Sequence, residues 1–416
     1  MKLTVIGGGS TYTPELADGI GRLLPDVTEL VLVDPDPGRL AVVGPVSARI
    51  MAAHGHPGRV RWTSSLDDGT DGADAILFQL RVGGQAARQR DETWPLDCGC
   101  VGQETTGAGG LAKALRTVPM VLDLAERASR RASPSAFIID FTNPVGIVTR
   151  ALLSAGYRAV GLCNVAIGFQ RHFASMLGVP PGQVSLGHVG LNHLTWERSV
   201  LVDDKDVLPD LLATCADEIA PRTGLSADFV RRLGMVPSYY LRYYYAHDAV
   251  VASQRGSVTR AEEVARLEAE LLELYADPAL QVKPPQLSQR GGAWYSEAAV
   301  DLLASLTGDR RDVQVVNTTN GRTLPFLPAD AVIEVPATIG SAGAVPVPTD
   351  PVEPLLRGLI AHVYAYEELA LDAAIRGGRD RVYDALLAHP LVGQAEVAQC
   401  LTDRLIAENA HFLSWA

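Results

Sequence analysis

Residues able to do chemistry stand at the very start of the chain. Gly7-Gly8-Gly9-Ser10 follows the apolar run at residues 3–6 directly, and Pro14 can open a helix just beyond. Glycines in such a turn let backbone amides approach a pyrophosphate at a helix N-terminus. Gly7 and Gly9 fit the first two glycines of that fingerprint, while Tyr12 stands where the third would be. Asp34 closes the next apolar run, where a carboxylate can accept hydrogen bonds from ribose hydroxyls. Triplet, strand and Asp34 together point to a dinucleotide site, although a plain tight turn would also explain the triplet alone.

Further candidates are scattered. Cys163-Asn164 follows another apolar run, and His193 sits in Gly190-Leu191-Asn192-His193. One thiolate and one imidazole make half a site for a borderline divalent cation. Substrate hydroxyls could complete it and leave the metal open for Lewis-acid work. Spacing alone favours the simpler reading, a structural cysteine and a core histidine. Arg81, Arg88 and Arg290 stand beside glycines or polar residues, and such forks suit phosphate or carboxylate, though each taken singly reads as a surface charge. The run from Tyr239 to Tyr245 is a core or interface stripe, unless a nearby cation makes one phenol a base. Cys98 and Cys100, one residue apart, fit neither zinc ligation nor a redox pair and read as two free thiols.

The elements that must position these groups are legible in outline. Apolar runs at 3–6, 29–34, 75–80, 137–141 and 159–162 predict buried parallel strands, with helices at 14–24, 40–54, 111–130 and 144–154. That alternation predicts an α/β fold with an N-terminal doubly wound, Rossmann-like dinucleotide-binding domain over residues 1–168. Beyond it the pattern changes to strands at 183–202 and helices at 259–275 and 351–377. This predicts a C-terminal mixed α+β domain, residues 169–416, for substrate, metal and oligomerisation. Thr259 and Glu262 have capping-box spacing at the start of the 259–275 helix.

Composition removes other classes. The 416 residues carry 36 Lys+Arg against 48 Asp+Glu, a net charge of −12, so no basic surplus exists for a nucleic-acid partner. Five cysteines are too few and too scattered for a disulfide framework and read as a reducing compartment. No apolar stretch reaches the roughly 20 residues needed to span a bilayer, and the N-terminus lacks signal-peptide character. The expectation is a cytoplasmic protein with neither membrane nor nucleic acid as partner.

Taken in order, several segments resemble glycoside hydrolase family 4, and within it the 6-phospho-β-glucosidase branch. They are Val5-Ile6-Gly7-Gly8-Gly9-Ser10, Tyr12-Thr13-Pro14-Glu15-Leu16, Phe78-Gln79 with Arg81, and Gly102-Gln103-Glu104-Thr105-Thr106-Gly107. Phe141-Thr142-Asn143-Pro144, Gly161-Leu162-Cys163-Asn164-Val165 and Gly190-Leu191-Asn192-His193-Leu194 follow. Tyr240-Leu241-Arg242-Tyr243-Tyr244, Arg290-Gly291-Gly292 and Ala388-His389-Pro390-Leu391 complete a likeness that spans essentially the whole chain.

The resemblance implies an NAD⁺- and divalent-metal-dependent glycosidase, the metal typically Mn²⁺, an exception to the two-carboxylate scheme. In that family a sugar is oxidised at C3 by NAD, deprotonated at C2, cleaved at C1–O, hydrated and reduced again at C3. Carried over, the likeness makes Cys163 and His193 metal ligands, reversing the reading from spacing, and Tyr240 the C2 base, with Tyr239 as fallback. Arg242 and the metal would lower the phenol's pKa. Gly7, Gly8, Gly9, Ser10 and Asp34 would hold NAD. Arg88 and Arg290 would take the 6-phosphate, with Glu104, Asn143 and Asn164 lining the sugar and metal. The implied substrate is a phosphorylated disaccharide or β-glucoside, giving glucose 6-phosphate and an aglycone, and the implied assembly is a homodimer or homotetramer. Competing readings are an NAD-dependent 2-hydroxy-acid dehydrogenase, a family 4 glycosidase of other sugar specificity, and a non-enzymatic dinucleotide sensor.

Overall fold

The computed structural model describes residues 1–291 and 294–416, so Gly292 of the Arg290 motif lies outside the described residues. Six strands come from the first part of the chain: β1 (Lys2–Ile6), β2 (Glu29–Val33), β3 (Arg59–Thr63), β4 (Ala75–Phe78), β5 (Phe137–Asp140) and β6 (Ala159–Gly161). They pair in parallel in the order β6-β5-β4-β1-β2-β3. Seven more follow: β7 (Val184–Leu191), β8 (Leu194–Val202), β9 (Lys205–Asp206), β10 (Val236–Pro237), β11 (Asp312–Thr319), β12 (Val332–Gly340) and β13 (Gly343–Pro346). These pair antiparallel and extend the same sheet as β10-β8-β7-β12-β11, with β9 on β8 and β13 on β12.

Both faces of the parallel part are covered, which is why its strands read as continuous apolar runs. Leu3, Val5, Leu30 and Leu32 pack with the helices Thr13–Leu23, Pro37–Ala53 and Tyr295–Gly308. Ile6, Val31, Val33 and Ile76 face the helices Gly107–Ser129 and Pro354–Arg376 on the other side. Each fully buried Leu, Ile or Val contributes about 1.5–3 kcal/mol, so strand alternation commits the chain to two cores around one sheet. Thr259 and Glu262 form the expected capping box at the start of the helix Arg260–Tyr275.

Among the elements that escaped the sequence reading, two lie in the parallel half and show why. The strand β3 is only partly buried, with no wholly apolar run, and the helix Gly84–Asp97 is polar on most of its surface. The expected boundary at 168/169 falls inside the helix Val165–Leu177, and the sheet continues across it, because Asn317 of β11 pairs with Gly161 of β6. That pairing extends in one row through Glu334 of β12 and Gly190 of β7 to Thr195 of β8. Cys163 and His193 each lie a few residues beyond this row.

The two-free-thiols reading of Cys98 and Cys100 is corrected. Cys98 is bonded to Cys400, 302 residues away, and only Cys100 of that pair is free. Spacing within a motif carries no information about a partner brought alongside by the helix Ala395–Asn409.

Candidate active site

The carboxyl ends of β1, β4, β5 and β6 open onto one crevice, the usual ligand position in a doubly wound sheet. Gly7 adopts a φ of 88°, and a Cβ there would stand 2.7 Å from the Gln79 carbonyl oxygen. Its amide and that of Gly8 both donate to the Val33 carbonyl, which tucks the turn against β2. Gly9 N–H donates to Asp34 Oδ2 at 3.0 Å, so the two expected parts of the dinucleotide site are in direct contact. A cavity of about 860 Å³ runs from Gly7, Ser10 and Asp34 to Asn143, Asn164, His193 and Tyr240.

The loops after β4 and β5 are held together by Leu80 N–H donating to Thr142 Oγ1 at 3.1 Å. This sets Arg81 and Asn143 on neighbouring walls of the cavity. The Asn143 side-chain oxygen is buried and has no partner among the described residues. An acceptor in that state is costly unless a ligand donates to it.

Beside it lies a charge cluster. Glu104 is bonded to Arg81, to Lys113 Nζ at 2.5 Å and to Arg88 at 3.1 Å, and Arg88 also reaches Glu92 at 2.7 Å. Burial pushes the Glu104 carboxyl up, but Arg81, Lys113 and Arg88 outweigh it and hold it well below the usual range. Burial draws the Lys113 ammonium down to about 8, against the pull of Glu104. Three cations against two carboxylates leave one positive charge uncompensated. Arg81, Arg88 and Lys113 line the cavity and Glu104 stands behind them, buried in the wall. Arg290 also lines it, donating to Thr11 Oγ1 and to Glu268, each at 2.8 Å. Neither expected phosphate arginine is therefore an isolated fork; each is already braced by a carboxylate.

His193 occupies the tip of the β7–β8 hairpin with a φ of 63°, a left-handed conformation uncommon outside glycine. Burial lowers its pKa to about 4, Glu334 opposing, so the ring is neutral and keeps a lone pair. Cys163 is buried, and burial raises its thiol, with Glu334 adding to the rise while the Val165 amide and the Asn192 side chain oppose it. Glu334 itself accepts from Asn192 and Asn317, each at 2.9 Å, and from His188 at 3.2 Å. Cys163 and His193 thus share Glu334 as an electrostatic neighbour. Cys163 lines a second cavity, of about 1050 Å³, rather than the one His193 faces. Among the described residues no group of three or more His, Cys, Asp or Glu side chains is placed to hold a metal. A neutral imidazole and a thiol nonetheless suit a borderline divalent ion whose other ligands are external oxygens.

Tyr240 lies flat on His193. Burial raises its phenol well above the ordinary range, with Cys163, Tyr243 and Glu104 adding and Arg88 opposing. The expected lowering of the phenol is corrected: burial outweighs the opposing Arg88, and the Arg242 guanidinium lies over the rings of Tyr239 at 4.4 Å and Tyr243 at 5.2 Å. Tyr239 is 41% exposed and lies outside the cavity lining, which leaves Tyr240 as the phenol of the 239–245 run that lines the cavity, where Tyr12 and Tyr295 join it from elsewhere in the chain.

The sequence reading passed over Lys113, Thr105 and Glu334. A signal existed for two of them: Lys113 interrupts the apolar run Leu111-Ala112-Lys113-Ala114-Leu115 and Glu334 the apolar run Val332-Ile333-Glu334-Val335.

Fold and cavity together define an enzyme of the dinucleotide-fold class, with a polar, cationic chamber joined to the glycine turn. Residues 2–179 match the family 4 glycosyl hydrolases and residues 188–392 the C-terminal domain of the same family. A probable 6-phospho-beta-glucosidase of Bacillus subtilis is 36% identical over 435 residues, covering 99% of this chain and 97% of that protein. The 6-phospho-beta glucosidase of Thermotoga maritima, solved with manganese, NAD⁺ and glucose-6-phosphate, superposes with a TM-score of 0.92 at 30% identity, covering 100% of each chain. A malate dehydrogenase of Salinibacter ruber shares the fold alone, with a TM-score of 0.54 at 18% identity over 91% of this chain and 99% of that one. The chain belongs to glycoside hydrolase family 4 and is a glycosidase.

Proposed function

We propose that the protein hydrolyses 6-phospho-β-glucosides to glucose 6-phosphate and an aglycone by redox-assisted elimination and addition. The observation that carries this reading is the single cavity joining the glycine turn and Asp34 to Asn143, His193, Tyr240 and a cationic wall. The names of the similar proteins support the substrate class. When bound, NAD⁺ supplies reversible hydride transfer at C3 and a divalent metal such as Mn²⁺ supplies Lewis acidity at O2 and O3.

The chain's own residues position and move protons. The amides of the Gly7–Ser10 turn and the Asp34 carboxylate hold the dinucleotide. His193 and Cys163 hold the metal, and the unpartnered oxygen of Asn143 accepts a sugar hydroxyl. Arg88 and Arg290 bind the 6-phosphate, with Arg81 and Lys113 adding positive charge to the same wall. Tyr240 takes the C2 proton at its phenolic oxygen once Arg88 and a bound cation hold it as the phenolate against the burial that raises it, a step that C3 oxidation makes accessible by acidifying C2–H. In this reading residues 1–168 serve the dinucleotide and also bring Arg88, Asn143 and Cys163 to the sugar, phosphate and metal, while residues 169–416 add His193, Tyr240 and Arg290.

The test is turnover of p-nitrophenyl β-glucoside 6-phosphate with NAD⁺ and Mn²⁺, each omitted in turn. Release of nitrophenol that needs both, with no net NADH, is the expected result. Stoichiometric NADH from a 2-hydroxy acid would instead establish a dehydrogenase.

A further inference from the structure

We infer that Thr105, backed by Gln103, is a positioning residue that fixes the tautomer of His193 and so makes its Nε2 the metal-binding nitrogen. The inference rests on the reading of His193 as a ligand. It follows from donor and acceptor bookkeeping around one hydroxyl.

Gln103 Oε1 accepts from the backbone amides of Thr105 and Thr106, the latter at 2.7 Å. Two N–H donors identify that atom as the amide oxygen, because a side-chain NH₂ there would face donors with donors. The Thr105 hydroxyl lies 2.9 Å from the same oxygen, so its single proton must point at Gln103. Thr105 Oγ1 is also 2.8 Å from His193 Nδ1. With the hydroxyl proton already committed, Oγ1 can only accept, and the proton between them belongs to Nδ1. A neutral imidazole protonated on Nδ1 carries its lone pair on Nε2.

The arrangement does more than choose a nitrogen. Gln103 and Thr105 precede the helix Gly107–Ser129, whereas His193 sits on the β7–β8 hairpin. The hydrogen bond therefore ties the hairpin tip to a second element and fixes the ring about its χ2 axis. Partners of this kind raise ligand basicity and fix ring orientation, and their loss costs about 10–100-fold in metal affinity.

The test reads metal binding and the tautomer itself. In metal-free protein labelled with ¹⁵N, the His193 ring signals, identified by their loss in His193→Ala, should show Nδ1 protonated and Nε2 bare. Thr105→Val should scramble that pattern and weaken Mn²⁺ binding by about 10–100-fold, read by electron paramagnetic resonance of the free ion with NAD⁺ and glucose 6-phosphate present. Thr105→Ser should restore both. Wild-type His193 protonated on Nε2 would overturn the inference, and this measurement needs no variant at Thr105. Undiminished Mn²⁺ affinity in Thr105→Val, alongside weakened binding in His193→Ala, would overturn it while leaving His193 a ligand. Undiminished affinity in His193→Ala would overturn the ligand reading first.

Discussion

The imidazole of His193 and the phenol ring of Tyr240 are stacked, with centroids 3.6 Å apart and planes 7° from parallel. A group suited to holding a metal and a group suited to removing a proton are thereby locked face to face. Neither ring can tilt without moving the other, so an error in one is transmitted to both.

Tyr240→Phe keeps the stacked ring and removes only the hydroxyl. Turnover should fall by about 10²–10⁴, the range for loss of a positioned acid or base, while NAD⁺ and Mn²⁺ affinities stay near wild type. Wild-type turnover in D₂O should leave deuterium at C2 of the sugar product. Product without it, from a reaction run to completion, would count against elimination.

Cys163→Ser and His193→Ala should each lose activity by orders of magnitude while NAD⁺ binding persists, and chelation should stop turnover reversibly. Equilibrium dialysis with Mn²⁺ and a fluorescence titration with NAD⁺ separate the two effects. Full activity in Cys163→Ser would remove the thiol from the metal site.

Arg88→Ala should lower kcat/KM for a 6-phosphorylated glucoside by the equivalent of about 2–5 kcal/mol, the usual cost of truncating one partner of a buried charge pair. Already slow turnover of the unphosphorylated glucoside should change far less. Equal losses on both substrates would mean that Arg88 acts by holding Glu92 and Glu104, the carboxylates it touches, rather than by binding phosphate.

Arg116 and Asp91 form a buried pair, Nη2 to Oδ2 at 2.5 Å, with both side chains nearly inaccessible. Arg116→Ala leaves a buried carboxyl without its partner and should cost about 3–5 kcal/mol, read from the denaturant midpoint. A loss under 1 kcal/mol would show that water or Asn409, which also touches Arg116, takes over.

His188 lies between Glu197 at 2.7 Å and Glu334 at 3.2 Å. Burial alone would lower its pKa, but the two carboxylates, Glu197 first, raise it to about 10. Above pH 6.5 the unfolded chain releases this proton while the folded chain keeps it. The stabilisation is therefore complete below about pH 6.5 and is lost as pH rises through about 10. Thermal midpoints between pH 6 and 10 should fall more steeply in the wild type than in His188→Gln, and parallel curves would contradict the assignment.

The amino-acid order by itself determined five of the six parallel strands, the glycine turn, Asp34 and the capping box of Thr259. Each of these is local: an apolar run, a residue without Cβ, or an acceptor three positions from its donor. It also held the names of the site residues Cys163, His193 and Tyr240 within recognisable segments. Only the tertiary structure decided what those residues touch. Register along one row of the sheet brings Asn317 and Glu334 beside the loops carrying Cys163 and His193, and that pairing spans residues 161 to 334. Folding likewise placed Glu104 among three cations, set Arg88 against the burial that raises Tyr240, and joined Cys98 to Cys400. Charge pairing and burial act over a few ångströms of space, whereas the chain separates most of these partners by tens to hundreds of residues. That is why the chemistry of the site was legible as residue types, and its electrostatics only as a structure.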